Sequence, residues 1–390
     1  MKYNFDEIVD RSGTYARKWE CDEQRKYPDY IPFTVADMDI KCPPEIINAM
    51  KRLSENGIYG YTYKSEEVYK SIISWNKRRY NSEVSKEDIV FMNGVVPALY
   101  YTIQLFSEVG DKIIVQNPVY PPIIQGINKN NRVLLENTLK LVNGKYEIDF
   151  EEFESFAKDP KTKIFVLCNP HNPSGKVFTE EELAKLGKIC VENKVLILAD
   201  EIHSDVIFSP YKHAVMADIS EDIKNNIISC RSVSKTFNLA GLYSAYAIIP
   251  SKSIRDKITV FMENIAAGQH SSFSIEGLKV AYDECEEWLD ELLVYLKGNL
   301  DFIEKYLEEN LPKIKMIKPQ GTYMVFLDFN EYKDRDIDYK KVLLDEAHVG
   351  LKGGEEYGSG GENFMRFCFA SPRALIEKGL VRMKNAFEKY

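Results

Sequence analysis

The chain has 390 residues, a net charge of −9, 28% charged residues and seven cysteines, room for two or three domain-sized units around a large core. An acidic balance without a basic block argues against nucleic acid as a partner. No run approaches the roughly 18 apolar residues of a membrane span, and Met1 to Glu7 lack a signal peptide's apolar core. The cysteines at 21, 42, 168, 190, 230, 285 and 368 form no C-x-x-C pair. Scattered and odd in number, they fit reduced thiols in a cytoplasmic protein, and they lack zinc-site spacing.

In chain order, the first forty or so residues are expected to pack on a C-terminal domain. From about residue 45, short apolar runs alternate with longer amphipathic ones. Ile89-Val90-Phe91-Met92 precedes Asn93-Gly94-Val95-Val96-Pro97-Ala98-Leu99, which opens an apolar helical pattern. A glycine at a helix start lets backbone N–H groups approach a phosphate. Lys112–Val115 and Ile164–Cys168 read as strands covered on both faces. After Cys168, Asn169-Pro170-His171-Asn172-Pro173-Ser174-Gly175 dictates a fixed turn, and ligands of open α/β sheets bind at such strand ends. Thr179-Glu180-Glu181-Glu182 offers a capping box before Leu183, Leu186 and Ile189. Val195–Leu198 is a further buried strand, and Tyr246–Ile249 another. This alternation predicts a mainly parallel α/β sheet. Leu289, Leu292, Leu293, Leu296, Leu300, Ile303 and Leu307 then keep helical spacing. Pro312 and Pro319 punctuate, and Tyr323–Leu327 reads as a strand. The expected division is an N-terminal segment 1–44, a large α/β domain 45–287 and a small α+β domain 288–390.

Two features carry chemistry. The strand at Val195–Leu198 delivers Asp200 at its end. After the apolar run Asn226-Ile227-Ile228-Ser229-Cys230 comes Ser232-Val233-Ser234-Lys235-Thr236-Phe237-Asn238-Leu239-Ala240-Gly241, a lysine among hydroxyls. A Schiff-base lysine needs its amine partly desolvated beside groups that grip a phosphate. An acid paired with a later lysine suggests pyridoxal phosphate, whose ring nitrogen takes an acid partner. The plain alternative makes Asp200 a cap and Lys235 one surface lysine among many. Ser232-x-x-Lys235 also matches the S-x-x-K of β-lactamases, but no S-D-N or K-T-G follows. Gly358-Ser359-Gly360-Gly361 lacks the strand–turn–helix setting of a nucleotide loop and reads as a mobile loop. No H-E-x-x-H or EF-hand pattern occurs, so no metal is expected.

Nine ordered segments between residues 34 and 373 resemble the fold-type I pyridoxal phosphate enzymes of the aspartate aminotransferase superfamily. Within it the chain is most similar to the MalY/PatB-type cystathionine β-lyases, or C–S lyases. The segments include Thr34-Val35-Ala36-Asp37-Met38-Asp39, Tyr59-Gly60-Tyr61-Thr62, Gly94-Val95-Val96-Pro97-Ala98-Leu99 and Pro118-Val119-Tyr120-Pro121-Pro122. They continue through Asn169–Gly175, Asp200-Glu201-Ile202-His203, Ser232–Gly241, Gly321-Thr322-Tyr323 and Arg366–Arg373.

The resemblance implies a role for each. Lys235 carries the cofactor and then moves the substrate's α-proton. Asp200 pairs with the pyridine nitrogen, Asn172 bonds the phenolic oxygen, and Tyr120 stacks on the ring. The Gly94, Val95 and Val96 segment, with Ser232 and Ser234, holds the phosphate. Tyr61 reaches the phosphate of a neighbouring subunit, which implies a homodimer with shared sites. Arg366 clamps the substrate carboxylate, helped by Ala36, Asp37, Tyr120 and Asn172. His203 stands where aminotransferases place a tyrosine; it contacts the cofactor or is a satisfied buried histidine. Tyr243 replaces the phosphate-gripping arginine that aminotransferases commonly have eight residues after the lysine, which fits the C–S lyase branch.

The expected reaction is α,β-elimination from L-cystathionine or another S-substituted L-cysteine. An aminotransferase shares Lys235, Asp200 and Arg366 and stays open as an alternative. A regulatory role, binding a transcription activator as some relatives do, is the alternative from another class.

Overall fold

The computed structural model describes residues 1–333 and 335–390. Its centre is a seven-stranded sheet of β1 (Ile89–Met92), β2 (Lys112–Val115), β3 (Val133–Glu136), β4 (Thr162–Cys168), β5 (Leu196–Asp200), β6 (Ile227–Ser232) and β7 (Ala245–Ile248). They lie in the order β1-β7-β6-β5-β4-β2-β3. Only β7 runs antiparallel to its neighbours, so the sheet is mainly parallel, as the alternation predicts. β4 and β5 are almost wholly buried, which explains their unbroken apolar runs. The edge strand β3 is half exposed and was not legible as a strand, because it lacks a two-sided apolar cover.

Among the helices that cover this sheet are α1 (Glu66–Tyr80), α2 (Val95–Phe106) and α3 (Glu180–Glu192). The capping box at Thr179 forms as read. Thr179 Oγ1 accepts from Glu182 N at 3.2 Å, and the Glu182 carboxylate accepts from Thr179 N at 3.0 Å. The four-residue α4 (Val233–Thr236) follows β6 directly and carries Lys235.

α5 (Glu286–Asn310) is the long helix that the leucine spacing predicts. A four-stranded antiparallel sheet follows, made of β8 (Lys315–Ile317), β9 (Met324–Asp328), β10 (Lys352–Gly353) and β11 (Phe364–Cys368) in the order β8-β9-β11-β10. α6 (Arg373–Phe387) closes the chain. Near the start, Ile31 and Pro32 pair with Val349 and Gly350, and Phe5 lies edge-on to Trp288 of α5.

The loop read as mobile, Gly358–Gly361, is tied down instead. Ser359 Oγ donates to Glu136 Oε2 at 2.9 Å. A Cβ on Gly358 would fall 2.2 Å from Asn117 Nδ2, so only glycine permits the approach. Glycine richness here reflects close packing.

Candidate active site

The C-terminal ends of β1, β4, β5 and β6 meet at one edge of the large sheet, where α/β folds place ligands. A cavity of about 270 Å³ opens there, near the lower end of the usual ligand-pocket range. Lys235, Asp200, Asn172, Tyr120, His203, Ser232, Ser234, Gly94, Val95, Val96 and Ala36 all line it. Three of the residues singled out in the sequence do not: Tyr61, Asp37 and Arg366, the last of which lies behind Asn172. Tyr61 stands fully exposed in the segment just before α1. Asp37 turns to the N-terminal segment, where Arg11 Nη2 donates to its Oδ2 at 2.9 Å. The structure thus places the Asp37 carboxylate on Arg11 and outside the lining of this cavity, whereas the sequence reading expected it to bind substrate.

Lys235 Nζ donates to the Ala36 carbonyl at 2.6 Å. Tyr323 OH donates to the same oxygen at 3.2 Å. Burial, helped by the positive charge of Arg366, lowers the lysine's pKa, which favours a nucleophilic neutral amine. The Ala36 segment is anchored by Asp39, which accepts from Lys18 Nζ at 2.7 Å, Trp19 Nε1 at 2.8 Å, Arg11 Nη1 at 3.1 Å and Ser371 Oγ at 2.7 Å. Nothing in the spacing of Arg11, Lys18 and Asp39 signals this cluster. Tyr323 lay in a recognised motif without an assigned role.

Burial pushes the Asp200 carboxyl up to about 6, against a backbone hydrogen bond from Ile202 N (3.1 Å) and the charge of Lys235. An acid in that state gains most from a cationic partner. His203 is buried and edge-on to Tyr323, with ring centroids 5.8 Å apart. Burial and the charges of Lys235 and Arg366 hold it well below the usual histidine range, so its ring is neutral. Its Nδ1 has no hydrogen-bond partner among the described residues. The open choice for His203 thus narrows: it faces the cavity, and this nitrogen is not satisfied by protein.

Gly94 caps α2 with φ 151°, and a Cβ there would press on the Pro97 ring at 3.1 Å. The helix start presents the Val95 and Val96 backbone to the cavity. Ser232 Oγ accepts from Ser234 N at 3.0 Å and donates to Ser244 O at 2.5 Å. In this geometry its hydrogen goes to Ser244 O, so Ser232 caps α4 while lining the cavity, and Ser234 is the hydroxyl beside it that no protein group among the described residues claims. Tyr243 stands at the cavity rim, largely exposed.

Across the cleft, β11 delivers Arg366. Its Nη1 donates to Asn172 Oδ1 at 3.3 Å, and its Nη2 to the Thr34 carbonyl. The buried Nε has no partner among the described residues, so the guanidinium retains a donor for an anion. Asn172 is held by the turn read from the two Asn-Pro steps. There Gly175 adopts φ 68°, and a Cβ on it would lie 2.3 Å from Pro319 Cβ. Gly175 O accepts from Gln320 N and Gly321 N at 2.8 and 3.0 Å, tying the turn to the segment that leads to Tyr323.

An amine of lowered basicity, a protonatable acid and an anion cradle around one cleft define an enzyme built to hold an organic cofactor against a small acid. The chain belongs to the aminotransferase class I and II family, whose match spans residues 28–383, and its architecture is the fold-type I arrangement. It is 39% identical to the cystathionine beta-lyase PatB of Bacillus subtilis (strain 168), over 98% of this chain and 99% of that one. The crystal structure of the PLP-bound C-S lyase from Staphylococcus hominis matches with a TM-score of 0.93 and 33% identity, over 100% of this chain and 99% of the other. That of a PLP-bound putative aminotransferase from Clostridium difficile 630 matches with a TM-score of 0.94 and 40% identity, over 98% and 99%. The residues here fit the group those structures hold. Asp200 lacks a cation that a pyridinium would supply, the α2 start and Ser234 await an anion, and Lys235 offers the amine.

Proposed function

We propose that the chain is a pyridoxal phosphate-dependent C–S lyase that cleaves L-cystathionine or another S-substituted L-cysteine into a thiol, pyruvate and ammonia. The observation that carries this reading is that Lys235 and Asp200 line one cavity while Arg366 is bonded to Asn172 of its wall, in a chain so similar to a cystathionine β-lyase. Bound pyridoxal phosphate supplies the electron sink that makes the substrate's α-proton removable. Arg366 grips the substrate carboxylate through its free Nε and its fork, with Asn172 fixing the guanidinium plane. Lys235 Nζ leaves the Ala36 carbonyl, takes the proton from the α-carbon and can return to that carbonyl as an ammonium. The α-carbon electron pair becomes the bond to the β-carbon, and the sulfur departs with the C–S pair as a thiolate. Hydrolysis of the three-carbon product gives pyruvate and ammonia. Asp200, Tyr120, the Gly94–Val96 segment and Ser234 hold the cofactor; His203 offers it an unpaired nitrogen.

Tyr61, exposed in an aromatic segment with Tyr59 and Tyr63, suits a homodimer in which it reaches the partner's phosphate. Seven free cysteines suit the cytoplasm, and no helix among the described residues is long and apolar enough to cross a membrane. The three-part division at 44 and 287 fits a large sheet within 89–248 and a small one within 315–368.

The test is purified, cofactor-loaded protein with L-cystathionine and no keto acid. Stoichiometric, catalytic release of pyruvate and thiol is expected. Turnover only after addition of 2-oxoglutarate with an amino acid would move the assignment to an aminotransferase.

A further inference from the structure

Four cavity residues have a neighbour in sequence that faces the other way. Asp200 precedes Glu201, Ser232 follows Arg231, His203 precedes Ser204, and Lys235 precedes Thr236. At the ends of β5 and β6 successive side chains point to opposite sides, and in the turn at 203–204 and in α4 the two neighbours likewise divide, one lining the cavity and one bonded behind it. Behind the cavity these neighbours join one buried network. Arg231 Nε and Nη2 both donate to Glu201 Oε2, at 3.1 and 2.9 Å, which ties β6 to β5. Its Nη1 donates to Asn76 Oδ1, which ties both strands to α1. The guanidinium also lies over the Tyr80 ring, 4.4 Å from its centroid. Tyr80 OH bonds Ser204 Oγ at 2.9 Å and donates to Asp205. Asp205 then accepts from Trp75 Nε1 at 3.1 Å and from Thr236 Oγ1 at 2.7 Å. Glu201 further accepts from Ser229 Oγ and Met216 N, with His213 Nε2 at 3.3 Å.

None of these groups touches the cavity, and none moves a proton in the reaction. We propose that the network, centred on Arg231, is a positioning device that fixes Asp200, Ser232 and Lys235 relative to one another for the bound cofactor. The inference rests on the functional reading above. Its physical reason is the brevity of α4. A helix of four residues has almost no cooperative stability of its own, so the place of Lys235 is set by side-chain ties at either end. One tie is the Ser232 cap; the other is Thr236 to Asp205. The planar fork of Arg231 adds a side-chain tie just past the last backbone pair of β5 and β6, Asp200 with Cys230, where the ladder no longer fixes the side chains; a lysine cannot reproduce two fixed donors. Supporting residues of this kind decide whether a site is productive, because small displacements at a reacting group are costly.

The test uses the holoenzyme and three variants, Thr236→Val, Thr236→Ser and Arg231→Lys. For each, the pyridoxal phosphate dissociation constant, the pH midpoint of the cofactor's visible absorption, kcat, KM and thermal unfolding are measured. The expectation is roughly tenfold weaker cofactor binding and a displaced midpoint in Thr236→Val and Arg231→Lys, the scale seen when supporting residues of a bound group are removed. Thr236→Ser should restore both to within about twofold, since it keeps the hydroxyl donor. Unchanged cofactor binding and midpoint in whichever variants fold, with only a lower unfolding temperature, would overturn the proposal. So would failure of both Thr236→Val and Arg231→Lys to fold, because the network would then hold the fold and not the site. A wild-type protein that takes up no pyridoxal phosphate defeats the functional reading instead; a wild type that binds it as tightly as its variants do defeats this inference alone.

Discussion

Asp200 and Glu201 are adjacent carboxylic acids at the end of one buried strand, and they live in opposite electrostatic worlds. Asp200 faces the cavity, where burial pushes its pKa up to about 6 and only the Ile202 N–H and the Lys235 charge oppose that. Glu201 faces the interior behind the sheet. Burial acts against its charge too, yet Arg231, His213 and the Ser229 hydroxyl outweigh it and hold the carboxyl well below the usual range. The lesson is that burial alone does not set the state of an acid: Glu201 is already satisfied by protein, whereas Asp200 is left to be satisfied by what binds. The front of the strand end is built for chemistry and the back for rigidity.

That contrast can be broken from either side. The largest effect should come from the front, where Lys235→Ala removes both the tether and the base. Elimination measured as pyruvate release should fall about 10⁴-fold, at the upper end for a general base, with thermal unfolding of the cofactor-free protein little changed. Elimination retained at wild-type rate would remove Lys235 from its role.

From the back, Glu201→Ala leaves the buried Arg231 guanidinium without its carboxylate. Breaking a buried pair on one side only should cost about 3–5 kcal/mol of folding stability, read by urea unfolding. A loss under about 1 kcal/mol would mean that the pair is solvated and the contrast false.

A finer probe is pH. Asp200 has a folded pKa raised from 3.8 to about 6, so the cofactor-free folded state binds more protons than the unfolded one between those values. Stability from this group is therefore present below about pH 4 and is lost as pH rises through about 6, by at most about 3 kcal/mol. Asp200→Asn should remove that slope, so the variant gains on the wild type between pH 4 and 7 in denaturant unfolding. Parallel pH curves for the two proteins would show that the acid is solvated.

The smallest effect lies far from both faces. Thr179→Ala removes the α3 cap and should cost about 1 kcal/mol, with kcat and KM unchanged.

Strands β2, β4, β5 and β7 were legible because strands buried on both faces are written as unbroken apolar runs, and the edge strand β3 was not. The α3 start was legible because its cap is local chemistry, four residues long. The cavity residues were legible through ordered motifs, and most of them meet where strand ends converge. What stayed hidden was relational. Asp37 sits in a recognised segment, but its carboxylate is claimed by Arg11, and a sequence does not say which of two neighbours an acid faces. The committed hydrogen of Ser232 depends on the Ser244 carbonyl across the sheet. Tyr323 and Ala36 stand 287 residues apart and meet at one oxygen.

By itself, then, the sequence determined the class of fold, the long helix and the capping box, and its motifs, through their resemblance to a family, pointed to an amine, an acid and a guanidinium. These depend on periodicity, local hydrogen bonding and residue type, which are properties of short stretches of chain. Only the tertiary structure decided that Asp200 is an acid awaiting a partner while Glu201 is already paired, and that Lys235 is held by ties at its back as well as by the cavity in front. Those outcomes turn on which distant groups share a low-dielectric space, and that proximity exists only once the strands have been laid side by side.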